Sequence, residues 1–132
     1  MNILIAVERK NLLSALKLLL ETEINEIGHI EEVSSRRDLS EALVTVKPDI
    51  LLIDGDFIDI DIKNEIVSFK KYFPEMSLVI MDFDNEKKRM YQEMNMDLFI
   101  TKGNSSYKVL NSLIDFVKRK MEQLKTLQRV QC

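Results

Sequence analysis

Four charged residues stand directly after, or within two residues of, short runs of consecutive apolar residues. They are Glu8, Asp54, Asp82 and Lys102. A carboxylate is costly inside a strand unless it is paired, so each should mark the point where a buried strand emerges. Carboxylate oxygens are the ligands that Mg²⁺ prefers, and an ammonium group can donate to a phosphoryl oxygen. This pattern therefore indicates a site for Mg²⁺ and a phosphoryl group. The alternative is that strand ends reach water and simply carry charged residues.

The apolar runs before these residues are too short for helices and suit strands buried on both faces. Between them the apolar residues recur at helical spacing, as in residues 12–20. Pro48 ends the second helix, because the residue before a proline is pushed out of helical geometry. Ser35 and Asp38 have the spacing of a capping box at the start of that helix. Residues 55–61 are acidic and irregular, and they predict a loop over the end of the third strand.

The order strand then helix occurs five times, with crossovers long enough for parallel pairing. This pattern predicts an α/β fold of three layers, in which helices cover both faces of a parallel sheet. A doubly wound sheet in the order 2-1-3-4-5 would place Glu8 and Asp54 on either side of its switch point. Asp82 would lie one strand further along and Lys102 beyond it. We expect these four side chains to cluster at the carboxyl edge, with Lys102 bridging Asp54 and Asp82.

Length and composition limit the class of protein. With 132 residues, 45% hydrophobic and 31% charged, the chain is expected to form one globular domain. The net charge of -3 argues against a domain that binds nucleic acid directly. The single cysteine, Cys132, excludes an internal disulfide and fits a reducing compartment. The longest apolar stretch is too short to span a bilayer, so we expect a cytoplasmic protein that does not enter the membrane.

The residues around the four charged positions resemble the receiver domain of bacterial response regulators, over residues 2 to 120. Residues 3–8 resemble its first strand and acidic pair, residues 49–54 its phosphoacceptor strand, and residues 96–102 its fifth strand. The resemblance implies a flavodoxin-like fold, with Asp54 at the phosphoacceptor position and Lys102 at the lysine that contacts the phosphoryl group. It also implies that Asp82 and Phe99 occupy the two switch positions.

The sequence departs from the receiver pattern at the residues that would hold Mg²⁺ and phosphate. Val7 replaces the first member of the acidic pair, which leaves Glu8 and Asp54 as the metal ligands. Asp82 replaces the usual switch hydroxyl. A unit charge about 5 Å from a phosphoryl charge costs roughly 3 kcal/mol at an effective dielectric constant of 20. Because Mg²⁺ tolerates poor geometry badly, these departures predict a degenerate pocket.

The resemblance implies a signalling module of a two-component or phosphorelay circuit, which acts through protein contacts and is not an enzyme acting on outside substrates. One alternative is a conventional receiver that accepts phosphate on Asp54 from a sensor kinase. Another is a small enzyme or ligand-binding protein that holds a metal ion at its acidic edge. A sensor kinase or an effector domain is the expected partner.

The last helix continues past the predicted domain boundary, so we expect a receiver-like domain over residues 1–120 and a helical extension over 121–132. Apolar residues repeat there at alternating intervals of four and three: Leu110, Ile114, Val117, Met121 and Leu124. Exposed apolar positions at this period favour pairing with another helix. We predict a homodimer through the last helix or through the face of the fourth helix, fifth strand and fifth helix. The extension is alternatively the start of a linker to an effector domain.

Overall fold

Five strands alternate with five helices in the computed structural model, which describes residues 1–25, 27–83, 86–102 and 106–131. Side chains are described for these residues except at 12, 13, 106–109 and 128–131. The elements in chain order are β1 Asn2–Ala6, α1 Lys10–Glu23, β2 His29–Val33, α2 Arg36–Val46, β3 Ile50–Asp54, α3 Ile60–Tyr72, β4 Ser77–Asp82, α4 Lys88–Glu93, β5 Leu98–Thr101 and α5 Ser106–Gln131. A single 3₁₀ turn, Gly55–Phe57, follows β3.

The five strands form one parallel sheet in the order β2-β1-β3-β4-β5, which confirms the predicted fold and strand order. The register aligns Asp54 with Met81 across β3 and β4, and Asp82 with Thr101 across β4 and β5. Since parallel strands point the same way, their carboxyl ends meet at one edge of the sheet. The ends of β3, β4 and β5 therefore bring Asp54, Asp82 and Lys102 to the same edge.

Apolar side chains pack on both faces of the sheet. On one face, Ile3 and Ile5 belong to a core that α1 and α5 cover. On the other face, Leu4 and Ala6 belong to a core that α2, α3 and α4 cover. Because both faces are buried, the strands read as continuous apolar runs, and each large apolar side chain buried there stabilises the fold by about 1.5–3 kcal/mol.

Two helix starts are fixed by side-chain caps. The Ser35 hydroxyl accepts the N–H of Asp38 at 3.2 Å, which confirms the predicted cap of α2. Asp59 accepts the N–H of Ile62 at 2.9 Å and caps α3. The predicted loop over residues 55–61 is therefore wrong in extent, because its ends form the 3₁₀ turn and the first turn of α3. Buried Phe57 anchors that turn in the core.

The helix α4 is shorter than the sequence predicts, and α5 continues as a helix beyond the core. The apolar spacing of Met90, Tyr91 and Met94 predicts a fourth helix from Asn85 to about Met94, but α4 covers only Lys88–Glu93; Asn85 lies outside the described residues. The sequence also predicts that Ser105 and Ser106 can cap the last helix, and Ser105 lies outside the described residues. The helix α5 continues unbroken to Gln131, about 20 Å beyond buried Val117. Among the described helices, none has the length and apolar composition needed to cross a bilayer.

Candidate functional site

Asp54 is the last residue of β3 and its carboxylate is buried, with 3% of the residue exposed. The oxygen Oδ1 accepts the N–H of Asp56 at 3.0 Å, which caps the 3₁₀ turn. The oxygen Oδ2 contacts the ammonium group of Lys102 in an ion pair. Both oxygens of this buried charge are therefore engaged, as a carboxylate removed from water requires.

Lys102 follows β5 and is held in place by its backbone and by its side chain. Its N–H donates to the carbonyl oxygen of Asp82 at 2.7 Å, which extends the pairing of β4 with β5. Its Nζ lies 4.0 Å from Oδ2 of Asp56 and 5.1 Å from the centroid of the Phe83 ring. The Lys102 side chain is 13% exposed. The predicted pairing of Lys102 with Asp54 is confirmed.

The predicted bridge from Lys102 to Asp82 is wrong, because the Asp82 carboxylate has other donors. Its Oδ1 accepts the N–H of Phe83 at 2.7 Å. Its Oδ2 accepts the hydroxyl proton of Tyr91 at 2.5 Å. In the described part of the chain, the ion pairs of Lys102 are with Asp54 and Asp56 and not with Asp82. Asp82 therefore belongs to a separate polar contact on the same edge of the sheet.

Gly55 makes room for the contact between Asp82 and Tyr91. A Cβ atom at Gly55 would lie 2.4 Å from Oδ2 of Asp82 and 2.4 Å from the Tyr91 hydroxyl oxygen. Carbon and oxygen do not approach so closely without a bond, so a side chain at this position would displace one of the two groups. The contact thus depends on a glycine directly after Asp54.

Tyr91 is fully buried on α4, and its phenol hydroxyl acts as a hydrogen-bond donor. Burial, and after it the hydrogen bond to Asp82, raise the pKa of Tyr91 well above its usual range. The hydroxyl therefore keeps its proton at every physiological pH. In the sequence, Met90, Tyr91 and Met94 form an apolar stripe at helical spacing, which gives no sign of a polar partner for Tyr91. The available signal was chemical, since a buried tyrosine hydroxyl needs a hydrogen-bond partner.

Phe99, at the second predicted switch position, lies on β5 and is half-buried. Its ring centroid is 6.1 Å from that of Tyr91, with 31° between the ring planes. Separations of this size are usual for interacting aromatic pairs. Phe99 therefore packs beside the residue that contacts Asp82, and the two predicted switch positions are linked through Tyr91.

Lys87, which directly precedes α4, also reaches the turn after β3. Its Nζ donates to the carbonyl oxygens of Gly55 at 3.2 Å and of Ile58 at 3.4 Å. The basic run Lys87-Lys88-Arg89 predicts a solvated helix face, and for Lys87 that prediction is wrong. The carbonyl oxygens exposed by the turn attract the ammonium group, which the apolar pattern of the helix could not indicate.

The remaining predicted residues do not form a metal centre. Val7 is fully buried in the core with Ile5 and Met81, and its N–H donates to the carbonyl of Val33 at 3.1 Å. The Glu8 side chain is exposed and has no hydrogen bond or ion pair with the described residues. Across residues 1–25, 27–83, 86–102 and 106–131, no three His, Cys, Asp or Glu side chains are grouped to hold a metal ion. The predicted clustering of Glu8 with Asp54 and Asp82 is not found, and these residues do not fit Mg²⁺.

No protein-family model and no curated protein matches the sequence. Solved structures do match the fold. The signal receiver domain of a DNA-binding response regulator from Colwellia psychrerythraea is 17% identical, with a TM-score of 0.73 over 89% of this chain and 98% of that one. A response regulator receiver domain protein from Clostridium thermocellum is 16% identical, with a TM-score of 0.74 over 96% and 98%. The chain has the receiver-domain fold.

The receiver fold is not confined to response regulators among the similar structures. A putative pilus assembly-related protein from Burkholderia pseudomallei is 19% identical, with a TM-score of 0.70 over 93% of this chain and 90% of that one. Receiver domains are in general signalling modules and not enzymes. Within the receiver fold of this chain, Asp54 and Lys102 meet at the carboxyl edge, while Asp82 is held by Tyr91.

Proposed function

We propose that this chain is a receiver-type signalling module that acts through protein contacts and does not depend on phosphate or Mg²⁺ at Asp54. The observation that carries the proposal is the charge balance at Asp54. The ammonium group of Lys102 compensates this buried carboxylate, and no group of carboxylates surrounds it among the described residues.

The pocket around Asp54 lacks groups that phosphorylation of this carboxylate would need. One carboxylate oxygen would have to attack the phosphorus atom of a donor, whose leaving group would depart with the bonding electron pair. The developing charge needs cations beside it, and Mg²⁺ held by carboxylates would supply such a charge. Val7 supplies no ligand and the side chain of Glu8 extends into solvent. Asp82 adds a negative charge at the position where a hydroxyl would donate.

The conventional phospho-accepting switch is the second candidate, and the Asp54–Lys102 pair favours it. This pair holds the two residues that such a switch needs within reach of each other. The two candidates differ in what happens when Mg²⁺ and a phosphodonor are supplied. The third possibility, a metal- or ligand-binding protein that uses the acidic edge, has no carboxylate cluster to support it in the described part of the chain.

We propose the same module boundaries and partners that the sequence indicates: a receiver-like unit over residues 1–120, an extension over 121–132, and a cytoplasmic location. A homodimer through α5 is supported by the exposure of Leu127, which is 52% exposed beyond the half-buried Met121 and Leu124. The face formed by α4, β5 and α5 is the other candidate dimer surface. A sensor kinase or an effector domain remains the proposed partner outside the dimer.

A titration with Mg²⁺, followed by nuclear magnetic resonance of the backbone amides, tests the proposal. We expect no saturable shifts near Asp54 in the native protein at millimolar Mg²⁺. Asp82→Thr removes the misplaced charge, and Val7→Asp with Asp82→Thr restores the acidic pair. Because Val7 is buried, circular dichroism must show that the double variant folds, and Asp82→Thr alone serves as the variant with an intact core. Saturable binding by the native protein would contradict the proposal, whereas binding gained only by the double variant would support it.

A further inference from the structure

Two side chains, one helical turn apart, attach the start of α4 to the carboxyl edge of the sheet. Lys87 precedes the helix and donates to the turn after β3, through the carbonyl oxygens of Gly55 and Ile58. Tyr91 lies four residues later, so it faces the same side of the helix. Its hydroxyl donates to Oδ2 of Asp82 at the end of β4. Both contacts involve neighbours of the Asp54 pocket, and neither involves Asp54 itself.

The helix α4 needs such attachments because it is short. It has six residues, and an isolated helix of this length is not stable in water. Tyr91 is its only fully buried residue, and Met94 is buried just after its end. Apolar contact alone therefore gives α4 little anchorage. A hydrogen bond from a buried phenol to a carboxylate is among the stronger neutral-to-charged contacts in proteins.

We propose that Tyr91 is a positioning residue that fastens α4 to Asp82 and so fixes the α4–β5 surface without any group bound at Asp54. This inference rests on the proposed function and specifies how the surface of that module is regulated. The negative charge that holds the hydroxyl belongs to the protein itself, at Asp82. Because Phe99 packs against the Tyr91 ring, release of Tyr91 also removes a neighbour of β5. The helix and the strand are therefore expected to change together.

Hydrogen exchange of the backbone amides tests this role, with Tyr91→Phe as the variant. The substitution removes only the hydroxyl and keeps the buried ring. Loss of a hydrogen bond to a charged acceptor should speed exchange in residues 88–94 by about tenfold or more. The matched control is Tyr72→Phe, because Tyr72 is 83% exposed on α3 and should leave exchange unchanged. The amides of β3 should also keep their native rates, which separates release of α4 from loss of global stability.

A double-mutant cycle tests whether Tyr91 and Asp82 act on α4 through one shared contact. Asp82→Ala should accelerate exchange in α4 much as Tyr91→Phe does. The two changes together should then have little more effect than either alone, because they remove one interaction. Additive effects, or equal acceleration in β3 and α4, would overturn the inference, as would native exchange rates in Tyr91→Phe. Labelling of Asp54 by a phosphodonor would refute the proposed function and leave this measurement on the unlabelled protein unaffected, so the two failures are distinguishable.

Discussion

The ammonium group of Lys102 contacts Oδ2 of Asp54, and the two side chains are 13% and 4% exposed. The pair joins the end of β3 to the residue after β5, with β4 between them. Two buried charges stabilise each other only while both are present, because the survivor of a broken pair keeps its desolvation cost. The pair therefore links the outer half of the sheet to its centre.

Replacing Lys102 with methionine should destabilise the protein strongly. The substitution keeps most of the apolar stem and leaves Asp54 buried without its cation, which typically costs about 3–5 kcal/mol. Urea unfolding would measure this loss. Lys88→Met is the matched control, because Lys88 is exposed and should change stability by less than about 0.5 kcal/mol. Adding Asp54→Asn to Lys102→Met should recover part of the loss. A loss of stability no larger than that of the control would show that Lys102 does not compensate the buried charge of Asp54.

Alanine at Gly55 should separate Tyr91 from Asp82. The added Cβ would lie 2.4 Å from both the Tyr91 hydroxyl oxygen and Oδ2 of Asp82. Overpacking of this kind usually costs about 1–3 kcal/mol, which thermal unfolding would detect. The same alanine should cost less in a Tyr91→Phe background, because the clashing hydroxyl is then absent. An equal cost in both backgrounds would show that the glycine is needed for some other reason.

The stability contribution of Asp59 should depend on pH in a defined direction. The N–H of Ile62 and, more weakly, the charge of Arg36 lower the pKa of Asp59 from its usual 3.8. A group whose pKa is lowered by folding adds stability above its unfolded pKa and loses it as pH falls through the folded value. Asp59→Ala should therefore lower the melting temperature at pH 7, and the difference from the native protein should shrink below pH 3.8. A difference that grew on acidification would contradict this prediction.

The extension of α5 should mediate self-association. Leu124 is half-buried and Leu127 is 52% exposed, so pairing with a second copy would remove apolar surface from water. Sedimentation of the native protein at tens of micromolar should show dimers, and Leu124→Glu with Leu127→Glu should shift them to monomers. Thr126→Glu adds one negative charge at a helix position outside the stripe of Leu124 and Leu127 and should leave the dimer intact. A native protein that is monomeric at these concentrations would contradict the proposed dimer.

The parallel sheet and the edge shared by Asp54 and Lys102 could be predicted from the sequence for one physical reason, whereas the strand order rests on the common doubly wound arrangement. Strands buried on both faces leave unbroken apolar runs, and the charged residues after those runs must lie where the strands end. In a parallel sheet these ends share one edge, so the position of Asp54 and Lys102 at the same edge followed from the topology. Neither inference required knowledge of a side-chain conformation.

The partner of Asp82 could not be predicted in the same way. Several charged side chains share the edge, and their pairing depends on side-chain conformations and on the space above Gly55. The contact of Tyr91 with Asp82 could not be recognised in the sequence, because a tyrosine ring also fits an apolar helical stripe. The prediction for Glu8 failed in a different way. Its position after β1 suggested that it lies in the Asp54 pocket, but its side chain extends into solvent. The early start of α3 was missed because Asp59, its cap, lies among other acidic residues that resemble a loop.

Intact-mass measurement after incubation with Mg²⁺ and a small acyl phosphate tests the central claim most directly. Asp54→Asn sets the background, because it removes the acceptor. Val7→Asp with Asp82→Thr serves as the variant with a restored pocket. We predict no phosphoryl adduct on the native protein or on Asp54→Asn, and an adduct at Asp54 in the restored variant. A phosphoryl adduct on Asp54 of the native protein would contradict the account and establish the conventional switch.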